Sequence, residues 1–112
     1  MTTMQTRTVA VCDLARLIPG RGVAALLPDG RQVAIFLTAE GELYGLSNID
    51  PFARAAVLSR GLVGESGGVP FVASPLLKQR FDLRTGVCLD DDSVVIRTYE
   101  VQVVDGVVHV CP

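Results

Sequence analysis

Four residues of this chain can ligate a metal through a thiolate or an imidazole: Cys12, Cys88, Cys111 and His109. Together they have the composition of a structural Cys₃His zinc site, in which all four ligands must converge. The cysteines are widely spaced, no C-x-x-C pair occurs, and only His109 and Cys111 are predicted to share a strand face. We therefore expect no zinc site. The odd number of cysteines also argues against a disulfide scaffold and is typical of a reducing compartment. We expect Cys12 and Cys88 to be small buried residues and His109 to be half-exposed.

Residues for acid–base or nucleophilic catalysis are also scarce. His109 is the single histidine that could serve in a Ser-His-Asp triad, and no H-E-x-x-H or G-x-S-x-G motif occurs. Glu40, Glu42 and the acidic run 90–92 lie in predicted turns, where solvated carboxylates are usual, and no Ca²⁺-loop pattern surrounds the run. The four glycines of residues 61–68 precede no Lys-Ser or Lys-Thr, so a phosphate loop is not expected. The sequence thus predicts no catalytic residue and no metal site.

Composition limits the protein class further. The 112 residues are 49% hydrophobic with a mean hydropathy of +0.42, which predicts a single domain spanning residues 1–112. The longest apolar runs are five residues, whereas a bilayer-spanning helix needs roughly 18, so we expect no membrane association. The first residues lack a secretory signal pattern, which favours the cytoplasm. A net charge of −2 and a pI near 5.2 argue against nucleic-acid binding.

Most of the chain alternates polar and apolar residues with period two and breaks at turn residues, which predicts an all-β, antiparallel sandwich or barrel. The predicted strands are residues 8–12, 22–27, 31–38, 42–47, 69–74, 79–82, 93–104 and 107–111. Asp50 followed by Pro51 predicts the start of one short helix of about two turns over residues 52–58. A shorter helical turn is expected after Asp13, and residues 61–68 are expected to form a loop.

Positive charge is concentrated in one stretch. Residues 54–84 hold five cations against two acids, a net charge of +3, while the rest of the chain holds five cations and ten acids. The five cations are Arg54, Arg60, Lys78, Arg80 and Arg84. This asymmetry fits a protein-docking face better than a groove that follows phosphates, since Arg in particular makes bidentate contacts at interfaces.

Two stretches, residues 43–51 and 72–86, resemble the Rieske iron–sulfur domain, in which a C-x-H loop and a later C-P-x-H loop hold a two-iron cluster. The run R-F-D-L-R-T-G at residues 80–86 is similar to the run that follows the second ligand loop in that family. The resemblance implies a Rieske-like antiparallel fold. It also implies a small loop subdomain over residues 46–85 that corresponds to the cluster-binding part.

The resemblance places Asn48 and Asp50 at the first Cys and His positions, and Ser74 and Leu77 at the second pair. A Rieske cluster needs two thiolates on one iron and two imidazoles on the other. None of these four residues provides either group, and no cysteine lies in the two loops. We therefore expect the fold without the cluster, with the loops still close together and Leu77 at least partly buried in the vacated space.

The runs at residues 47–52, 56–61 and 74–81 resemble the small subunits of the assimilatory NAD(P)H-dependent nitrite reductase family over nearly the whole chain. That family implies a large-subunit partner that carries FAD, sirohaem and an iron–sulfur cluster and reduces nitrite to ammonia. The small subunit itself holds no cofactor. Stabilising the large subunit and shaping a docking or electron-transfer surface are both compatible roles.

The resemblance also implies that the large subunit docks on the two former ligand loops, where the five cations gather. Arg80 has a structural alternative, an ion pair with a nearby acid such as Asp82. Two other functions remain open from the residues alone: a Rieske-type ferredoxin that carries electrons itself, and a free-standing β module that binds peptides or small molecules.

Overall fold

Antiparallel strands make up about half of residues 8–112 and the two helices there are only three residues each, which confirms the predicted fold class. The computed structural model describes residues 8–112. The strands are β1 (Val9–Asp13), β2 (Gly22–Leu26), β3 (Gln32–Leu37), β4 (Leu43–Ser47), β5 (Ile49–Asp50), β6 (Ala55–Ala56), β7 (Leu62–Ser66), β8 (Val69–Ala73), β9 (Arg80–Asp82), β10 (Thr98–Val104) and β11 (Val107–Cys111). Two 3₁₀ helices cover Leu14–Arg16 and Leu58–Arg60.

The main sheet has six strands in the order β1-β11-β10-β4-β3-β2. Its edges, β1 and β2, lie against each other, so the sheet is nearly closed. The remaining strands form a β5-β6 pair and a three-stranded sheet in the order β7-β8-β9. Residues 49–82 therefore form a smaller β layer beside the nearly closed sheet.

Strand β3 separates two hydrophobic cores because successive side chains of a strand point to opposite faces. Val33 and Ile35 pack into one core with Val108 and Val110 of β11. Ala34 and Phe36 pack into the other, which joins the main sheet to the smaller layer and contains Val72 and Phe81. The four consecutive residues 33–36 are consequently fully buried, and the smaller layer is fixed to the main sheet by packing.

The predicted helix over residues 52–58 is wrong. The Arg54 N–H donates to the Asp50 carbonyl (2.7 Å), which closes a single turn, and Arg54 then takes a left-handed φ of 54°. A right-handed helix cannot continue through that conformation. The next residues, Ala55–Ala56, instead pair with Ile49–Asp50. The turn after Asp13 is a 3₁₀ helix, without a side-chain cap from Asp13.

Two other predicted boundaries also differ. Residues 61–68 contain strand β7 rather than a loop, because Gly64 lies beneath the Phe71 ring, where a Cβ atom would come within 2.8 Å of the ring. The predicted strand 93–104 begins only at Thr98, since the preceding segment makes a single bridge, Val87 to Val95. No helix among residues 8–112 is long and apolar enough to cross a membrane.

Candidate functional site: the two former ligand loops

Two loops at one end of the molecule have the same construction. They are residues 50–54 (D-P-F-A-R) and 74–78 (S-P-L-L-K), each with a polar residue first, proline second and a cation fifth. In both, the fifth residue's N–H donates to the first residue's carbonyl, at 2.7 Å and 3.2 Å respectively. In both, that cation has a left-handed backbone, with φ of 54° at Arg54 and 70° at Lys78. The two loops are therefore structural equivalents.

The first residues of the loops bond to each other. The Ser74 hydroxyl donates to Asp50 Oδ2, and the two residues are 1% and 0% exposed. Asp50 Oδ1 accepts from the Phe52 N–H (2.9 Å) and the Ala53 N–H (3.3 Å). Ser74 Oγ accepts from the Leu76 N–H at 3.3 Å. This network confirms the expected approach of the loops and satisfies the buried carboxylate with three donors.

Asn48 ties the first loop to the rest of the fold. It is 1% exposed; its amide donates to Gln32 Oε1 (3.0 Å) on β3, and its Oδ1 accepts from the Ser59 N–H at 2.7 Å. The Leu58 N–H donates to its carbonyl at 3.1 Å. Three of the four former ligand positions, Asn48, Asp50 and Ser74, are thus buried hydrogen-bonding groups.

Leu77, the fourth position, does not fill the vacated space. Its side chain is 51% exposed, so the expectation that it is partly buried in that space is wrong. The turn of residues 74–78 directs it outward, and the Asp50–Ser74 hydrogen bond joins the loops beneath it. Polar contacts, not apolar packing by Leu77, hold the two loops together.

The donor set of these loops does not fit the two-iron cluster that a Rieske fold implies. An amide, a carboxylate, a hydroxyl and a leucine stand where two thiolates and two imidazoles are needed.

The cysteines lie away from these loops: Cys88 is fully buried in the core, while Cys12 and Cys111 are half-buried on β1 and β11. Burial is the main cause that raises the pKa of the Cys12 and Cys111 thiols, which disfavours the thiolate that a metal requires. Cys12 is more exposed than predicted.

The five predicted docking cations fall into two groups. Arg80 pairs with Asp90 at 2.8 Å, and Arg84 pairs with Asp82 at 3.2 Å. The structural alternative for Arg80, an ion pair with an acid, is therefore confirmed, but the acid is Asp90 and not the suggested Asp82. The hydrogen bond from Arg80 lowers the pKa of Asp90. The pKa of Asp82 is lowered overall. Burial is the largest single influence and would raise this pKa, but the hydrogen bonds from the Arg84 side chain and backbone together lower it by more.

Arg54, Arg60 and Lys78 form the second group and are exposed. Within residues 8–112, none of the three makes an ion pair. Arg54 and Lys78 end the two equivalent loops, and Arg60 ends the 3₁₀ helix whose first N–H bonds Asn48. The structure therefore brings these cations to the end of the molecule that carries the former ligand positions.

His109 lies apart from these loops. It sits half-buried on β11, as predicted, and its Nδ1 is 3.0 Å from the Thr8 hydroxyl. Among residues 8–112, no three His, Cys, Asp or Glu side chains are arranged to hold a metal ion.

Comparison with known families decides what this fold is. The model of the Rieske-like [2Fe-2S] domain matches residues 7–111. The chain belongs to the Rieske-like domain family. The Rieske resemblance stated from the sequence is thereby confirmed, although this Rieske-like chain lacks the family's cluster ligands.

Relatives of this Rieske-like chain have a common description. It is 47% identical over 100 residues to the small subunit of NADH nitrite reductase from Salmonella typhimurium, covering 88% of this chain and 92% of that protein. The crystal structure of an NADH-dependent nitrite reductase small subunit from Mycobacterium tuberculosis matches with a TM-score of 0.89 and 47% identity, over 93% of each chain. The resemblance to nitrite reductase small subunits is also confirmed.

One relative has a different length. The chain is 43% identical over 101 residues to the Klebsiella oxytoca protein named nitrite reductase [NAD(P)H] large subunit, and the match covers 90% of this chain but 10% of that protein. A domain like this one is therefore part of a much longer nitrite reductase polypeptide in that organism.

Proposed function

We propose that this chain is the cofactor-free small subunit of an NAD(P)H-dependent nitrite reductase. It supports the reduction of nitrite to ammonia by a large subunit that carries FAD, sirohaem and an iron–sulfur cluster. The observation that carries the proposal is the buried Asp50–Ser74 hydrogen bond at the former ligand positions of a chain so similar to nitrite reductase small subunits. A protein that transfers electrons through its own cluster needs ligands there.

The partner follows from the longer relative. In the Klebsiella oxytoca large subunit, a domain like this one is joined to the rest of a nitrite reductase polypeptide. The expected partner of such a domain is therefore the remainder of a nitrite reductase large subunit. We propose that the separate chain pairs with its large subunit in the same way, in the cytoplasm and without binding nucleic acid or membrane. The same comparison disfavours a free-standing β module.

A visible absorption spectrum separates this proposal from a Rieske-type ferredoxin. The purified chain is expected to be colourless between about 400 and 600 nm and to contain no stoichiometric iron or sulfide. Purification under anaerobic conditions controls for loss of a labile cluster. Cluster bands with near-stoichiometric iron and sulfide overturn the cofactor-free proposal.

His109→Ala tests whether this chain supplies a catalytic acid or base. We expect nitrite reduction by the assembled enzyme to stay within a few-fold of wild type, whereas loss of a general acid or base typically costs about 10²–10⁴-fold. The measurement is nitrite-dependent NAD(P)H oxidation at saturating small subunit. A loss of about 100-fold or more with assembly intact shows that His109 takes part in the chemistry.

The two former ligand loops are proposed as the docking face, with Arg54, Arg60 and Lys78 as its free cations and Arg80 behind its ion pair. Arg84 is left out, because it lies beside Glu42 and Tyr44 at the other end of β4. Reversing the three free cations to Glu together is expected to weaken complex formation about 10- to 100-fold at low salt, because like charges then face the partner. The difference is expected to shrink at high salt, since exposed charges are screened.

The control for this charge reversal is Arg16→Glu, an exposed change on the first 3₁₀ helix. Circular dichroism confirms folding of both variants, and titration calorimetry with the large subunit measures binding. If the triple variant binds as tightly as wild type at low salt, the docking face lies elsewhere.

A further inference from the structure

Three of the ten large apolar side chains that are exposed among residues 8–112 lie in or directly beside the two former ligand loops. Ile49 is 43% exposed, Leu76 53% and Leu77 51%. Ile49 directly precedes Asp50, and Leu76 and Leu77 follow Ser74, so the Asp50–Ser74 hydrogen bond brings all three to one end of the molecule. Single exposed apolar residues are common on protein surfaces, but several of them near one place indicate an interaction surface. We call Ile49, Leu76 and Leu77 the apolar tip.

The apolar tip is held in a fixed shape. The Leu76 N–H donates to Ser74 Oγ, and the Lys78 N–H closes the turn on the Ser74 carbonyl. Ile49 is fixed by pairing with Ala56. Apolar groups that are already ordered lose little conformational entropy when a partner covers them. The loops thus present a preorganised surface.

Cations stand at both sides of the apolar tip. Arg54 and Lys78 end the two equivalent loops, both with left-handed backbones that cost about 1 kcal/mol or more for a residue with a Cβ. Their backbone N–H groups are held by hydrogen bonds to Asp50 and Ser74, which fixes where each side chain starts, and neither cation has an acidic partner within residues 8–112. The matching surface is therefore apolar at its centre and carries carboxylates at its edge.

We infer that the apolar tip is the centre of the interface with the large subunit, and that it inserts into an apolar patch edged by acidic residues. This inference rests on the proposed pairing with the large subunit and assigns the residues that provide most of its affinity. Buried apolar anchors at the centre of an interface typically dominate binding, whereas exposed edge charges mainly set association rate and salt dependence. In Klebsiella oxytoca, a domain like this one lies within the large-subunit polypeptide. This favours the large subunit, and not a second copy of this chain, as the protein that covers the apolar tip.

The test compares two double variants for binding to the isolated large subunit. Leu76→Ser with Leu77→Ser removes the apolar tip of the second loop. Val103→Thr with Val104→Thr is the control: these residues are also exposed, at 42% and 48%. They lie at the far end of β10, whose other end pairs with β4 beside the loops. We expect the tip variant to bind at least tenfold more weakly at both low and high salt, and the control within twofold of wild type.

The outcomes separate the two proposals. If wild type does not bind the large subunit, the proposed function fails and the inference fails with it. If wild type binds and the tip variant binds equally well, only the inference fails. Sedimentation of the isolated chain tests whether a second copy of the chain is the partner instead. If the chain forms a dimer and the tip substitutions dissociate it, the apolar tip binds a second copy and the inference is overturned.

Discussion

Replacing Asp50 by alanine is expected to lower the free energy of unfolding by about 3 kcal/mol, which lowers the melting temperature by about 12 °C or more. The carboxylate is fully buried and accepts from the Phe52 and Ala53 N–H groups and from the Ser74 hydroxyl. Its removal leaves these donors without an acceptor, and unsatisfied buried groups are expensive. Thermal unfolding followed by circular dichroism measures the change.

The controls for Asp50→Ala separate the loop-joining bond from the turn. Ser74→Ala removes the bond between the loops together with the Leu76 N–H bond to Ser74 Oγ, but it leaves both backbone N–H bonds to Asp50 Oδ1, and it is expected to cost about 1–2 kcal/mol. The double variant should cost less than the two single variants together, because both remove the same hydrogen bond. Additive costs, or a loss below about 1 kcal/mol for Asp50→Ala, contradict the view that this bond replaces the cluster as the link between the loops.

Gly86→Ala is expected to destabilise the protein by about 4 kcal/mol or more, enough to unfold a chain of this size under mild conditions. Gly86 has a φ of +79°, and a Cβ atom there would lie 2.1 Å from the Ile96 carbonyl oxygen. The Ile96 N–H also donates to the Gly86 carbonyl, so the segment cannot move away without losing that bond. Expression level and thermal unfolding measure the effect.

Gly41→Ala is the matched control. Gly41 has a similar φ of +88°, but nothing lies within 4 Å of its Cβ position. Its substitution is expected to cost about 1 kcal/mol, which is the backbone effect alone. Equal losses in the two variants would show that the contact with Ile96 is not what requires glycine at position 86.

Local alternation was enough to predict most of the strands. In β11, Val108 and Val110 are buried and their neighbours are half-buried, as period two requires. The prediction failed where a long-range contact decides the structure. Asp50-Pro51 can begin either a helix or a turn, and the pairing of Ala55–Ala56 with β5 selects the turn. The glycines of residues 61–68 indicated a loop, but one of them accommodates Phe71 from the next strand.

The approach of the two loops was predicted from the sequence, but the hydrogen bond that joins them was not. The shared pattern of residues 50–54 and 74–78 is visible in the sequence, yet the bond between Asp50 and Ser74 depends on how the smaller layer folds. Leu77 was expected to be at least partly buried because apolar residues gain by burial, but its side chain is exposed and the loops are joined by the polar bond between Asp50 and Ser74. The partner of Arg80 is ten residues away along the chain, which spacing alone did not reveal.

The central claim is that this chain serves nitrite reduction by pairing with a large subunit, without a cofactor of its own. Its most direct test is ammonium formation from nitrite and NAD(P)H by the large subunit, measured with and without an equimolar amount of this chain. The account predicts a stable complex, more ammonium formed per large subunit, and an iron content equal to that of the large subunit alone. Identical ammonium formation with no complex would contradict it.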